Sequence, residues 1–270
     1  MSEQGSAWPA TAPVVGVPIS CTTYTEVLDG IERRPRDRAT VVAVCNVHSV
    51  MTARRDPKVA EALKGADIAT PDGMPLVWML RQTAHARQPR VYGPDLMRHA
   101  LAYGRSGGWK HYFLGATPST LIRLVAAAQR MAPGVEVAGS FAPPHRPLTP
   151  DEESDICADV RRSRADVVWV GLGMPKQELF MDRARHHLPG VALVGVGVAF
   201  DFLGGTLKEA PAWMQQAGLA WLYRLMREPR RLWRRYLLNN PAFVALAFQQ
   251  LMAHRERIRV LHAHGVHQER

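Results

Sequence analysis

The sequence predicts an α/β fold: a parallel sheet with helices on both faces, followed by a helical C-terminal appendage rich in arginine and aromatic residues. Three observations carry this expectation. Six short apolar, β-branched runs recur along the 270 residues with helical stretches between them, and parallel strands need such crossovers. Two of the runs, DVVWVGLG and VALVGVGVAF, are apolar without alternation, as strands buried on both faces are. Beyond the last run the composition changes. Residues 221–241, WLYRLMREPRRLWRRYLLNNP, hold six arginines against one acid, Glu228.

Taken in order, residues 1–13 are polar, contain proline and predict a disordered tail. They lack the basic start and apolar centre of a signal peptide. TVVAVCN (40–46) is the first strand of the sheet, followed by the helix-like SVMTARRD and PKVAEALKG. DIAT (67–70) is a short second strand before Pro71, Asp72 and Gly73. HYFLG (111–115) is the third, after which Thr117 caps a helix that Pro118 opens. VEVAGS is the fourth, and TPDEESDICADVRRSR repeats the Thr-Pro helix start. DVVWVGLG and VALVGVGVAF are the fifth and sixth. Residues 14–210 are expected to form the α/β domain and residues 211–270 the appendage.

Composition narrows the classes. A hydrophobic fraction of 47% supports a sizeable core. The longest apolar runs fall well short of the ~18 residues of a spanning helix. Cys21, Cys45 and Cys157 are odd in number and widely spaced, which predicts free thiols in a reducing cytosol. The eleven histidines show no metal-ligand spacing, and His262, His264 and His267 read as a solvated tail.

In a parallel sheet, ligands sit at the carboxyl ends of the strands. The unusual residues fall there: Asn46 and His48 after the first strand, Asp72 and Gly73 after the second, Gly115 after the third. Gly171, Gly173, Gln177 and Glu178 follow the fifth, and Gly197 and Asp201 the sixth. Glycines let backbone N–H groups approach a phosphate, and helix N-termini favour negative charge. Plainer readings stand beside these. Pro-Asp-Gly is a common turn. GLGMPK and GVGVAF lack the third glycine of a dinucleotide fingerprint. Gly195 and Gly197 also suit close helix–sheet packing, Glu178 suits the helix dipole alone, and Asp201 suits a cap.

In the appendage, Arg224, Arg227, Arg231 and Arg234 recur at helical spacing, and Pro229 is expected to open a second helix. Leu232, Trp233, Tyr236 and Leu237 are expected to form its apolar face, the pattern of an interfacial helix. Arginine forks grip phosphate, and Trp and Tyr settle at membrane interfaces. Each basic residue near an anionic leaflet is worth ~1 kcal/mol, so a net of five supplies on the order of 5 kcal/mol at most.

Six motifs occur in order: NVHSV (46–50), ATPDG (69–73), RVYGPDL (90–96), FLGA (113–116), GLGMPKQE (171–178) and GVGVAFDFLGG (195–205). They end in APxWMQQAGLAWLYRL and the arginine block. Together they resemble the WecG/TagA/CpsF glycosyltransferases of bacterial polysaccharide and teichoic acid synthesis. The resemblance implies a Rossmann-like catalytic domain with a C-terminal appendage, working at the cytoplasmic membrane face. It implies inverting transfer of a sugar (N-acetylmannosamine-type, hexose or uronic acid) from a nucleotide-sugar, commonly UDP-N-acetylmannosamine, to an undecaprenyl-diphosphate-linked sugar. It places the catalytic base on Asp72, with Arg90 before the G-x-D-L motif and Gln177 in the P-K-Q-E motif. Arg224, Arg231 and Arg234 align with arginines that bind the acceptor diphosphate; Arg227, Trp233 and Tyr236 belong to the same acceptor and membrane surface. Many members carry Thr two residues before the first-motif Asn, where this chain has Val44. Any donor contact by that hydroxyl is missing or is replaced by His48 or Ser49.

The residues support this chemistry by themselves. Inverting transfer needs a base to deprotonate the acceptor hydroxyl, and Asp72 on a turn at a strand end is so placed. There is no Asp-x-Asp pair to hold a metal. Stabilising the departing diphosphate then falls to Arg90 or an appendage arginine and to helix N-termini, with no metal and no cofactor. The expected partners are a UDP-sugar, a lipid-diphosphate-linked sugar and an anionic membrane surface, but not nucleic acid; a homo-oligomer is left open. Two other classes remain: a soluble nucleotide-dependent enzyme, such as a dehydrogenase or nucleotide-sugar modifier, and a nucleic-acid-binding protein using the arginine block.

Overall fold

The computed structural model describes residues 8–265. Residues 1–7 and His267 lie outside the described residues, and the side chains of His262 and His264 outside the described side chains.

The chain opens with an antiparallel hairpin, β1 (Thr11–Val14) and β2 (Val17–Ser20). This corrects the expected tail over residues 11–13. The hairpin is held from the far end of the chain: Gln250 accepts from the Val15 N–H and donates to the Pro13 carbonyl, both at 2.6 Å.

The remaining elements alternate. α1 (Tyr24–Glu32) and β3 (Thr40–Cys45) precede α2 (Val47–Ala53), α3 (Pro57–Gly65) and β4 (Ile68–Pro71). α4 (Met74–Thr83), α5 (Gly93–Gly107), β5 (Lys110–Gly115), α6 (Pro118–Met131) and β6 (Glu136–Phe141) follow. Then come α7 (Pro150–Ser163), β7 (Val167–Gly171), α8 (Lys176–Ala184), β8 (Ala192–Gly195) and α9 (Ala199–Leu203). The chain ends in α10 (Ala212–Gln216), α11 (Ala220–Arg227) and α12 (Pro229–Gly265).

The six runs expected as strands form one six-stranded sheet in the order β4-β3-β8-β7-β5-β6, every pairing parallel. Period-two alternation divides its side chains between the two faces of the sheet. Val42, Val44, Phe113 and Trp169 pack under α1, α5 and α6. Val41, Leu114, Val170 and Leu193 pack under α7 and α8. The Thr-Pro starts behave as the sequence predicts: Thr117 accepts from the Thr120 N–H, and Thr149 forms a capping box with Glu152. Cys21, Cys45 and Cys157 are free.

Two elements differ from expectation. The run VALVGVGVAF is not one strand. β8 stops at Gly195, and Gly197 at φ +52° turns the chain into α9, a conformation that glycine adopts without a side-chain penalty. In the appendage, Pro229 does open a helix, but that helix runs on through Pro241 to Gly265. Its apolar residues divide between two sides. Leu232 and Tyr236 are buried, the Tyr236 ring lying 5.6 Å from Trp221, whereas Trp233 and Leu237 are 46% and 60% exposed. At 3.6 residues per turn, neighbours in sequence point about 100° apart, so one row faces α11 and the next faces out. Farther along α12, Phe243 and Ala247 enter the core formed by the hairpin, α2 and α4. Among the described residues no helix is long and apolar enough to cross a membrane.

Candidate active site

A cavity of about 1230 Å³ opens at the carboxyl ends of the strands, between the α/β body and α11–α12. Single-ligand pockets span roughly 300–1,000 Å³, so there is room for more than one substrate.

Asp72 lies at its base, where β4 runs into α4. Its backbone N–H donates to the Cys45 carbonyl at 2.8 Å, stapling the turn to the neighbouring strand. The turn is shielded rather than exposed: the side chain is 17% exposed and pairs with Arg90, itself 18% exposed, at 3.3 Å. The Arg90 Nε also donates to the Asp72 carbonyl, its Nη1 donates to Gln215 on α10 at 3.1 Å, and its guanidinium lies 4.0 Å from the Tyr92 ring centroid. The Gly93 N–H and the Asn46 side chain complete the carboxylate's partners. Burial raises the Asp72 pKa above the ordinary value of 3.8, against the lowering pull of Arg90 and these hydrogen bonds.

Asn46 caps α2, its Oδ1 accepting the His48 N–H at 2.9 Å. Ser49, buried, completes that capping box by accepting the Asn46 N–H, so one lone pair of its oxygen serves the helix start. Val44 lines the cavity without a polar group. His48 lines it too, and burial with the nearby Arg235 and Arg55 cations pushes its pKa down to about 4. Gly73 packs against Asn46: a Cβ there would sit 3.3 Å from the Asn46 Cβ.

On the opposite side, Gly171, Gly173, Gln177, Glu178, Gly197 and Asp201 line the cavity. Asp201 also accepts from the Thr206 hydroxyl at 2.9 Å. Glu178 is 3% exposed, and burial lifts its pKa to about 7. Its Oε1 accepts from Gln177 at 2.9 Å, while its Oε2 and the Gln177 Oε1 have no partner among the described residues. Gly115 does not line the cavity. At φ +132° its absent Cβ would lie 2.5 Å from the Gly171 backbone, so the glycine is required by strand packing.

Over the cavity, α11 and α12 present Arg224, Arg231 and Arg235. Glu228 bridges the first two, at 3.3 and 2.5 Å. Arg235 makes no ion pair among the described residues and its Nε is buried without a partner. Burial and the neighbouring Arg224 and Arg231 lower its pKa. Arg227 and Arg234 point elsewhere, stacked over Tyr223 and Trp233 at 5.9 and 5.2 Å, and Trp233 is likewise outside. Tyr236 lines the cavity.

The model of the glycosyl transferase WecG/TagA/CpsF family matches residues 12–257. The chain belongs to the WecG/TagA/CpsF glycosyltransferase family. Two relatives carry the name N-acetylglucosaminyldiphosphoundecaprenol N-acetyl-beta-D-mannosaminyltransferase. The one from Bacillus subtilis (strain 168) is 27% identical over 242 residues, 89% of this chain and 92% of the relative. The one from Bacillus spizizenii (strain ATCC 23059 / NRRL B-14472 / W23) is 29% identical over 209 residues, 77% and 79% of the two.

In this glycosyltransferase the sequence motifs converge on one cavity, and three polar residues of the C-terminal segments that the sequence does not single out join them. Arg235, Gln215 and Asn239 become visible only when α10 and α12 fold back over the sheet. The one available signal for Arg235 was its i,i+4 spacing from Arg231.

Proposed function

We propose that this glycosyltransferase is an inverting hexosyltransferase. It moves a sugar of the N-acetylmannosamine class from a UDP-sugar to an undecaprenyl-diphosphate-linked sugar at the cytoplasmic membrane face. The observation that carries the reading is the Asp72–Arg90 pair at the base of a two-substrate cavity roofed by arginines. The relatives' names support the lipid-diphosphate acceptor and the sugar class. Ionised Asp72 takes the proton of the acceptor hydroxyl as that oxygen bonds to the anomeric carbon. The bond from that carbon to the nucleoside diphosphate breaks, and the departing charge is met by fixed cations. A panel of UDP- and GDP-sugars offered with a short-chain lipid-diphosphate-sugar acceptor, read by mass spectrometry, tests it. No sugar transfer, together with dinucleotide binding, would return the chain to the dehydrogenase class.

The reaction is expected to need no divalent metal. Among the described residues no group of three or more His, Cys, Asp and Glu is arranged to hold one, and arginines are abundant. Activity should persist in excess EDTA; loss on chelation with recovery on Mg²⁺ or Mn²⁺ would refute this.

The exposed row of α12 supports membrane docking. Trp233, Leu237, Val244, Phe248 and Met252 follow one another at steps of four or seven residues and are exposed, beside the arginines of the same helix. Trp233→Ala with Leu237→Ala should release the protein from anionic vesicles and spare activity on a water-soluble acceptor. Binding of the wild type should weaken as salt rises, because exposed charges are screened. Vesicle binding unchanged in the double variant would remove this face from the reading. Point variants serve better than truncation near Pro211, which would strip Phe243 and Ala247 from the core.

A further inference from the structure

His48 stands at the start of α2, and how its ring is held depends on the distant helix α12. Its Nδ1 lies 3.1 Å from the Asn239 Nδ2 and 3.3 Å from the Thr52 hydroxyl. Asn239 is 3% exposed, and its Oδ1 accepts from the Arg55 guanidinium. That bond fixes the amide: turned over, its NH₂ would face Arg55, donor against donor. Asn239 therefore donates to Nδ1, Nδ1 must accept, and the ring proton resides on Nε2. No group of the protein bonds Nε2 among the described residues, and the ring lines the cavity.

We propose that Arg55 and Asn239 are positioning residues that lock His48 as its Nε2–H tautomer, aimed as a neutral hydrogen-bond donor at an oxygen of the nucleotide-sugar. This rests on the reading of the cavity as a glycosyltransferase site. Three further observations agree. Val44 offers no hydroxyl there and the Ser49 oxygen already accepts the Asn46 N–H, whereas the His48 Nε2–H is bonded to no described residue. The charged groups acting on the ring are cations, Arg55 beyond α2 and Arg235 on α12, and with burial they hold it neutral, with a pKa of about 4. Asn239 belongs to the helix that roofs the cavity, so seating α12 and preparing the donor corner are one event.

The full chain labelled with ¹⁵N-histidine tests this by long-range ¹H–¹⁵N correlation near neutral pH, with His48 assigned by its loss in His48→Gln. The expected wild-type pattern is an unprotonated Nδ1 and a protonated Nε2. Asn239→Asp keeps the shape and the Arg55 contact but can only accept from Nδ1, so it should move the proton to Nδ1. Binding of the donor UDP-sugar without acceptor, measured by calorimetry, should weaken roughly tenfold, the worth of one hydrogen bond. His48→Gln, whose Nε2 also donates, should stay within a few-fold of wild type, while His48→Phe should match Asn239→Asp. A wild-type His48 protonated on Nδ1 overturns the proposal even if no variant folds. The expected tautomer with donor affinity unchanged in both Asn239→Asp and His48→Phe overturns the donor role and leaves the glycosyltransferase reading standing. If the wild type binds no nucleotide-sugar at all, that reading and the donor role fall together.

Discussion

Asp72→Asn is expected to lower turnover by ~10²–10⁴ with donor affinity within a few-fold of wild type, the usual loss for a general base. Asparagine fills the same space and accepts the Gly93 N–H, but it cannot take a proton. Arg90 keeps its bonds to the Asp72 carbonyl and to Gln215, so the local geometry has support without the carboxylate. The pH profile provides a second reading. A base works ionised, and burial holds this carboxyl above 3.8. The acidic limb of kcat/KM should therefore fall above the ordinary aspartate range and should vanish from the residual activity of the variant. One competitor stands in the same cavity. Glu178, with a pKa of about 7, matches a working pH near neutrality better, but it is nearly enclosed and bonded to Gln177. Turnover near wild type in Asp72→Asn combined with a dead Glu178→Gln would move the base to Glu178.

Arg235→Ala is expected to cost ~10²–10³ in kcat/KM on a water-soluble acceptor, the range for losing one preorganised donor at developing or bound charge. Arg234→Ala should stay within a few-fold. The contrast separates the cavity from the helix's outer surface, because both changes remove the same charge from adjacent positions. Arg235 faces the cavity and makes no ion pair among the described residues, with Glu178 the acid that acts on it from farther off, whereas Arg234 stacks on Trp233. A buried guanidinium without an anionic partner is costly unless a ligand supplies one. Arg235→Ala should therefore leave the fold intact, and the melting temperature checks this. Equal losses in the two variants would mean that the block acts through overall charge alone.

How much of this was legible without coordinates follows from the range of the interactions. The six strands of the sheet and the Thr-Pro helix starts depend on apolar runs and on contacts three residues apart, both of which are local. Asp72, Asn46, Gln177 and the strand-end glycines other than Gly115 meet at one cavity because each follows a strand, and a parallel sheet gathers its strand ends on one edge. The hairpin is not legible because its two strands lie in a proline-containing terminal stretch and are held by Gln250 across 235 residues. Within VALVGVGVAF the sequence places Gly197 after the strand, but an apolar run does not show the residue at which a strand stops; the backbone angle at Gly197 does.

The sequence alone determined the sheet, the helix starts, the strand-end set centred on Asp72 and the concentration of arginines beyond it. Only the tertiary structure decided which arginines enter the cavity, which apolar residues of α12 face out, and that Asn239 holds His48. These depend on the rotation and seating of one long helix. That seating is set by Leu232, Tyr236, Phe243 and Ala247 finding the body of the protein, a long-range packing choice that helical periodicity constrains but does not complete.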